Sequence, residues 1–257
     1  INPDDSTLIA NRLNGYIPII ESFLELFKDK DDEFVCRIFD SITCLFYSLA
    51  QYKKSFEYQN RALKFRIKNN GENSEFTARS YNLLSVIYRE IREFKTAFIY
   101  QEKAIKLREE ILDEKYPDLA SSYNNFSLIY KGMGKLEKAL EYQEKSLKIY
   151  ETILDEKHPS LAISYNNIAA IYQDMKEKEK LEKALEYQEK ALKIDEEILD
   201  EGNPGLAIDY NNISTIYQDI GELKKALEYQ EKALNLTKEI FGEKHPDLAR
   251  SYNNIST

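Results

Sequence analysis

The stretch Ser164-Tyr165-Asn166-Asn167-Ile168-Ala169-Ala170-Ile171-Tyr172 decides the fold, because the chain repeats it. Tyr-Asn-Asn starts at Tyr123, Tyr165, Tyr210 and Tyr252, with a degenerate Tyr81-Asn82-Leu83 ahead of them, so the steps are 42, 42, 45 and 42 residues. A Tyr-Gln pair at Tyr58, Tyr100, Tyr142, Tyr187 and Tyr229 keeps the same steps. Two markers that share one period, and one three-residue insertion, define an array of repeats. In the fourth unit Leu161, Tyr165, Ile168, Ala169 and Tyr172 fall at i, i+4, i+7, i+8 and i+11, the apolar stripe of an amphipathic helix. Ala184, Tyr187, Ala191, Ile194 and Ile198 make a second such stripe. Pro117, Pro159, Pro204 and Pro246 punctuate the joints between units, and Gly134 and Gly221 the turn inside a unit. The pattern predicts first helices near 33–47, 76–90, 118–132, 160–174, 205–219 and 247–257. Second helices are predicted near 52–68, 94–112, 136–154, 181–199 and 223–241.

A two-helix hairpin cannot bury its own apolar faces, so such units must stack. The expected architecture is all-α: a right-handed α-solenoid of antiparallel helix pairs. Residues 1–30, apolar but off the repeat and interrupted by Gly15 and Pro18, read as an N-terminal helical cap or degenerate repeat. Residues 31–257 read as five units plus a partial sixth helix, in one cooperative solenoid. Glu stands four before Lys on the outer faces of the second helices (Glu102 and Lys106, Glu141 and Lys145, Glu186 and Lys190, Glu228 and Lys232), the order that supports an exposed helix. The segment Met175-Lys176-Glu177-Lys178-Glu179-Lys180 holds the insertion and is expected to lengthen one turn.

Composition agrees and excludes alternatives. Of 257 residues 42% are hydrophobic, too many for disorder, and 8 Gly with 6 Pro are too few for a turn-rich all-β protein. The charge, 36 − 45 = −9, gives no footprint for nucleic acid or anionic lipid. No apolar run approaches the roughly 20 residues that span a bilayer, and no secretory signal is visible, so a cytoplasmic setting is expected. The sequence lacks an initiator Met and stops inside the recurring motif, as expected of a piece of a longer protein. Cys36 and Cys44, in an apolar helical pattern, read as a buried, reduced pair. His158 and His245 occupy equivalent joints before Pro and read as turn residues. The 19 tyrosines, at fixed repeat places, read as packing residues.

Asn-Asn-Ile-Ala-Ala-Ile-Tyr at 166–172, Lys-Ala-Leu-Glu-Tyr at 183–187 and His-Pro-Ser-Leu-Ala at 158–162, with their cognates, resemble the 42-residue tetratricopeptide repeats (TPR) of kinesin light chains and their relatives. The resemblance covers roughly residues 33–257. It implies a TPR superhelix whose first helices line a concave groove, and a general protein-binding scaffold. Helical geometry places one stripe of each first helix opposite its apolar centre. In the fourth unit this is Ile163, Asn167, Ala170 and Asp174. Elsewhere it takes in Arg79 and Val86; Ser121, Asn125 and Leu128; Ile208, Asn212, Thr215 and Asp219; and Arg250 and Asn254. The first Asn of each pair (Asn124, Asn166, Asn211, Asn253) projects sideways, where bonding to a neighbouring helix or turn is expected. The second points along the stripe, where its amide either offers two donors and an acceptor to a peptide unit or serves repeat packing with no ligand. The resemblance makes the stripe a groove floor, since Asn at the matching place contacts ligand backbone in kinesin light chains and in carboxylate-clamp co-chaperones.

Arg79 and Arg89 lie toward one end of that stripe, Lys131 midway, and Asp174, Asp209 and Asp219 toward the other, before Arg250. Kinesin-light-chain-type grooves take acidic cargo through several basic residues, and this one has few. The expected partner is therefore a protein or peptide segment that is neutral to mildly basic, with a homodimer through the solenoid ends also open. No Gly-rich phosphate loop, nucleophile pair or metal-ligand spacing appears, so neither enzyme chemistry nor a cofactor or metal is expected. The alternative function is a sensor or oligomerisation module regulating an effector outside this chain, as such arrays serve in microbes when fused to signalling NTPases or proteases.

Overall fold

The structure, a computed structural model, describes residues 33–111 and 116–242 together with positions 15, 16, 18, 19 and 22. The expected final helix (247–257), with Arg250 and Asn254, lies outside the described residues, as does all but those isolated positions of the expected cap.

The described residues form ten helices and no strand. They run α1 Glu33–Ser48, α2 Tyr52–Asn70, α3 Glu75–Glu90, α4 Phe94–Ile111, α5 Pro117–Gly132, α6 Leu136–Ile153, α7 Pro159–Met175, α8 Lys178–Ile198, α9 Pro204–Ile220 and α10 Leu223–Phe241. Odd-numbered helices are the predicted first helices and even-numbered ones the second. Nine begin within one residue of the expected position. The exception is α8, which starts at Lys178 instead of 181. The insertion therefore adds helix and does not lengthen the turn: Lys176 closes α7 in the left-handed conformation and Glu177 already caps α8. Three residues rich in Lys and Glu are better helix formers than turn formers, so they join the helix at its solvent end.

The chain divides into two compact units, one ending at Lys135 and the other beginning at Leu136. In the N-terminal unit Cys36, Phe39, Ile42, Phe46, Tyr58 and Ala62 form one core cluster. Leu63, Ala78, Tyr81, Leu84, Ala104 and Leu107 form another. In the C-terminal unit Leu161, Ile168, Tyr172, Ala184, Ala191 and Ile216 anchor one cluster. Leu206, Ile213, Tyr217, Ala226 and Leu236 anchor the next. Ala97, Ala139, Ala184 and Ala226 hold the same place in four second helices and are all buried. With only a methyl there, the partner helix can come close enough for its Ile and Leu to fill the remaining space.

Three of the first helices are capped from the joint. Ser74 Oγ accepts from Thr77 N at 3.2 Å, His158 Nδ1 from Ser160 N at 3.1 Å, and Asn203 Oδ1 from Gly205 N at 2.8 Å. His158 is thus a turn residue, as read from sequence. The tyrosines pack, also as read: Tyr172 stacks on Tyr187 and Tyr217 on Tyr229, at 5.9 and 5.8 Å between ring centres. One expectation fails. Cys36 is buried but Cys44 is exposed, so the two do not form a buried pair. Eight residues are 2.2 helical turns, which turns Cys44 about 80° away from the face that Cys36 shares with Phe39 and Phe46.

Candidate functional site

In the C-terminal unit the predicted stripe comes out on one face. Ile163 on α7 and Ile208 on α9 are 56% and 61% exposed, and no packing requirement accounts for two aliphatic side chains there. Asn167 and Asn212 lie one turn further along, half-buried, followed by Ala170 and Thr215 and then by the exposed Asp174 and Asp219. Asn212 makes no side-chain hydrogen bond among the described residues. Asp219 is already engaged: Gln173 Nε2 donates to its Oδ2 at 2.7 Å, and Lys176 Nζ lies 3.9 Å from Oδ1. Gln173 Nε2 also reaches Thr215 Oγ1 at 3.3 Å, which ties α7 to α9.

In the N-terminal unit Arg79 is exposed, with its Nε 3.2 Å from the buried Asp40 carboxylate. Val86, Ser121 and Leu128 are half-buried. Asn125 is half-buried too, and its Nδ2 donates sideways to Asn82 Oδ1 at 3.1 Å. One of its two donors is therefore used within the unit.

The first Asn of the pairs in α7 and α9 bonds its neighbours, as expected, while Asn253 lies outside the described residues. Asn166 Oδ1 accepts from Gln188 Nε2 at 2.6 Å, and Asn211 Oδ1 accepts from Gln230 Nε2 at 2.7 Å. Asn82 stands in for it in the degenerate repeat and accepts from Gln101 Nε2 at 3.0 Å. The glutamine of the Tyr-Gln landmark is thus the partner that sequence reasoning did not assign. Gln101, Gln188 and Gln230 are all buried, on a stripe that is otherwise apolar. A polar residue held at one buried place in every repeat was the available signal.

Asp209 does not belong to the exposed charge of this face. It is 2% exposed, accepts from Gln188 Nε2 at 3.1 Å and from Asn166 Nδ2 at 3.3 Å, and sits against Asp195. Burial, reinforced by the neighbouring Asp195 carboxyl, pushes its pKa up to about 7. Ile208 points outward, and one residue along the helix is a rotation of about 100°, enough to carry Asp209 round to α8.

Among the described residues no group of three or more His, Cys, Asp or Glu side chains is placed to hold a metal ion. No described helix is long and apolar enough to cross a membrane. The face offers amides, carboxylates and exposed aliphatic carbon, which is the chemistry of recognition.

Comparison with known proteins agrees with the geometry. The family model of the tetratricopeptide repeat matches residues 43–110, 88–152, 118–180, 161–239 and 210–257. No curated protein matches the sequence. Among solved structures, BtubC (BKLC) of P. vanneervenii is 20% identical over 92% of this chain and 94% of its own, with a TM-score of 0.75. The nearly identical TPR-like repeats of a kinesin-light-chain-type protein from Podosopora anserina are 19% identical over 79% of this chain and 95% of theirs, with a TM-score of 0.67. A signal transduction ATPase with numerous domains from Pyrococcus horikoshii, which carries a tetratricopeptide repeat sensor, aligns with 96% of this chain but with 36% of its own length. It is 20% identical, with a TM-score of 0.69. At these identities the structures speak for the fold, an all-α repeat fold of the kind that generally serves as a non-catalytic scaffold for protein–protein interaction. With its model matched from residue 43 to the last, this chain belongs to the tetratricopeptide repeat family.

Proposed function

We propose that the protein is a non-catalytic scaffold that holds an extended partner segment along its first-helix face, pairing peptide groups with the second Asn of each repeat. The observation that carries this reading is the exposure of Ile163 and Ile208 beside Asn167 and Asn212. Exposed aliphatic side chains flanked by amides suit a chain that buries alternate side chains and leaves its backbone to be bonded. Neighbouring helices in such a stack sit about 8–10 Å apart, and an extended peptide advances about 3.3 Å per residue. One Asn therefore meets the ligand about every third residue. Asn125 is the counterpart in the N-terminal unit, and Asn254 belongs to the same register. Asp174 and Asp219 favour a partner that is neutral to mildly basic where it passes them. Because Asp219 already has Gln173 and Lys176, its attraction is modest and falls with salt.

The test is capture of partners from the native source by the whole chain, with an Asn167→Ala/Asn212→Ala variant and an Ile163→Ser/Ile208→Ser variant as controls. Each lost hydrogen bond is expected to weaken binding by about 0.5–1.5 kcal/mol while the melting temperature stays unchanged. A lower melting temperature in the Asn variant would assign those amides to packing, and equal capture by both variants would remove the face from the reading.

A second reading, a sensor or oligomerisation module that controls an effector, draws on the alignment with the sensor-bearing ATPase. Light scattering with and without the captured partner separates the two. A scaffold keeps its own oligomeric state on binding, and a sensor of this kind changes it.

A further inference from the structure

The repeats place one position near the end of each second helix against a position near the start of the next first helix, fourteen residues on. In two joints the pair is Arg and Ser. Arg66 Nη1 donates to Ser80 Oγ at 2.9 Å, and Arg108 Nη1 donates to Ser122 Oγ at 2.7 Å. Both arginines are fully buried and have carboxylates: Asp40 for Arg66, and Glu75 for Arg108. At the joint of α8 and α9 the same pair of positions holds Asp195 and Asp209, again fourteen apart. Two acids stand where two joints have a cation and a hydroxyl and the joint of α6 and α7 has Tyr150 and Ser164.

Asp209 has no exit from this arrangement. It is 2% exposed, and its Oδ1 takes both available donors, Gln188 Nε2 from α8 and Asn166 Nδ2 from α7. Its Oδ2 is buried and has no hydrogen-bond donor. The titratable group that faces it is Asp195, from α8. The groups from α7 and from the rest of α8 are the neutral amides of Asn166 and Gln188, and next along α9 Tyr210 donates its hydroxyl to Glu196 at 3.1 Å. Among the described residues neither aspartate forms an ion pair with Lys or Arg. Two ionised carboxylates cannot share such a site without a counter-charge, whereas one carboxylic acid and one carboxylate can, through an O–H···O⁻ bond.

We propose that Asp195 and Asp209 form a proton-operated latch between α8 and α9: with one proton shared between them they clamp the joint, and on losing it to solvent they push the joint apart. The latch does not depend on what the first-helix face binds. The other described joints lack it: Ser80 and Ser122 pair with arginines, and the joint of α6 and α7 has Tyr150 and Ser164 at these positions. The direction follows from linkage. The folded state holds the proton up to about pH 7, while an Asp in the unfolded chain releases it near 3.8. The stabilisation is therefore complete below about pH 4, declines as the unfolded chain sheds its proton, and is gone once the pH has risen through about 7.

The experiment follows carboxyl carbon chemical shifts of the isotope-labelled whole chain between pH 4 and 9. Asp209 is expected to titrate with a midpoint near 7 and to perturb Asp195 as it does so. A midpoint in the ordinary aspartate range overturns the proposal. In parallel, melting temperatures are read for the native chain, for Asp209→Asn and for Asp209→Ser, the residue found at the equivalent joints. Between pH 5 and 8 the native chain is expected to lose on the order of 5 °C more than either variant. Parallel curves overturn the proposal too. The titration needs no variant, so a substitution that fails to fold leaves the test intact.

Discussion

Gln188 is buried on the stripe of α8 that otherwise presents Leu181, Ala184, Ala191 and Leu192 to the core, and its single amide nitrogen serves both Asn166 and Asp209. Removing it takes the donor from Asn166 Oδ1 and one of the two donors from Asp209 Oδ1, and an unsatisfied buried polar group costs about 1–3 kcal/mol. We expect Gln188→Ala to lower stability by at least that much in urea unfolding, and Gln230→Ala, which orphans Asn211 alone, to cost less. Equal losses would mean that the cavity left by the side chain dominates and the hydrogen bonds add little. The glutamines were visible in the sequence as half of a recurring Tyr-Gln pair, but their purpose was not. An amide on an apolar stripe identifies a partner only once the adjoining helix is in place, and that partner lies 19 to 22 residues away. Asp209 misled for a related reason. As a charged residue beside Ile208 it read as surface, whereas the register with the buried Ser80 and Ser122 fixes it at a buried joint.

At the scale of the helix pair the turn is the informative element. Ala50, Arg92, Gly134, Lys176 and Gly221 occupy one repeat position, and all five have positive φ, from 55° to 92°. Sequence reading recognised the two glycines and passed over the other three, because Ala, Arg and Lys give no sign that the backbone there is left-handed. That conformation costs an L-residue about 1–2 kcal/mol relative to the right-handed one, and glycine escapes most of it. We therefore expect Arg92→Gly and Lys176→Gly each to raise stability by up to about 1 kcal/mol, and Gly134→Ala and Gly221→Ala each to lower it by about as much. Thermal melts of the four single variants check this, with no change expected in helix content. Helix limits, by contrast, were legible to within a residue or two, because apolar spacing and the prolines at 117, 159 and 204 act locally. Only the insertion before α8 escaped, since its Lys-Glu alternation carries no apolar mark to show where the helix begins.

For the molecule as a whole, the family and its period were plain from sequence because each repeat restates the same apolar stripes, while the division into two compact units was not. That division falls between Lys135 and Leu136, inside the turn of the third helix pair, where composition does not change. Each unit nevertheless owns complete core clusters: those around Phe46 and Leu84 on one side of the division, and around Ile168 and Ile213 on the other. A segment that buries its own apolar surface meets the condition for folding alone, and in repeat arrays stability is a sum of repeat and nearest-neighbour terms, not a property of the complete chain. We expect a fragment beginning at Leu136 to be helical by circular dichroism and to melt cooperatively, and a fragment ending at Lys135 to do the same. The C-terminal fragment contains Ile163, Asn167, Ile208 and Asn212 as well as the Asp195–Asp209 pair, so it should keep both partner capture and the excess loss of stability between pH 5 and 8. A C-terminal fragment that stays unfolded would show that α6 to α10 need the preceding repeats, and would make the whole array the smallest cooperative unit.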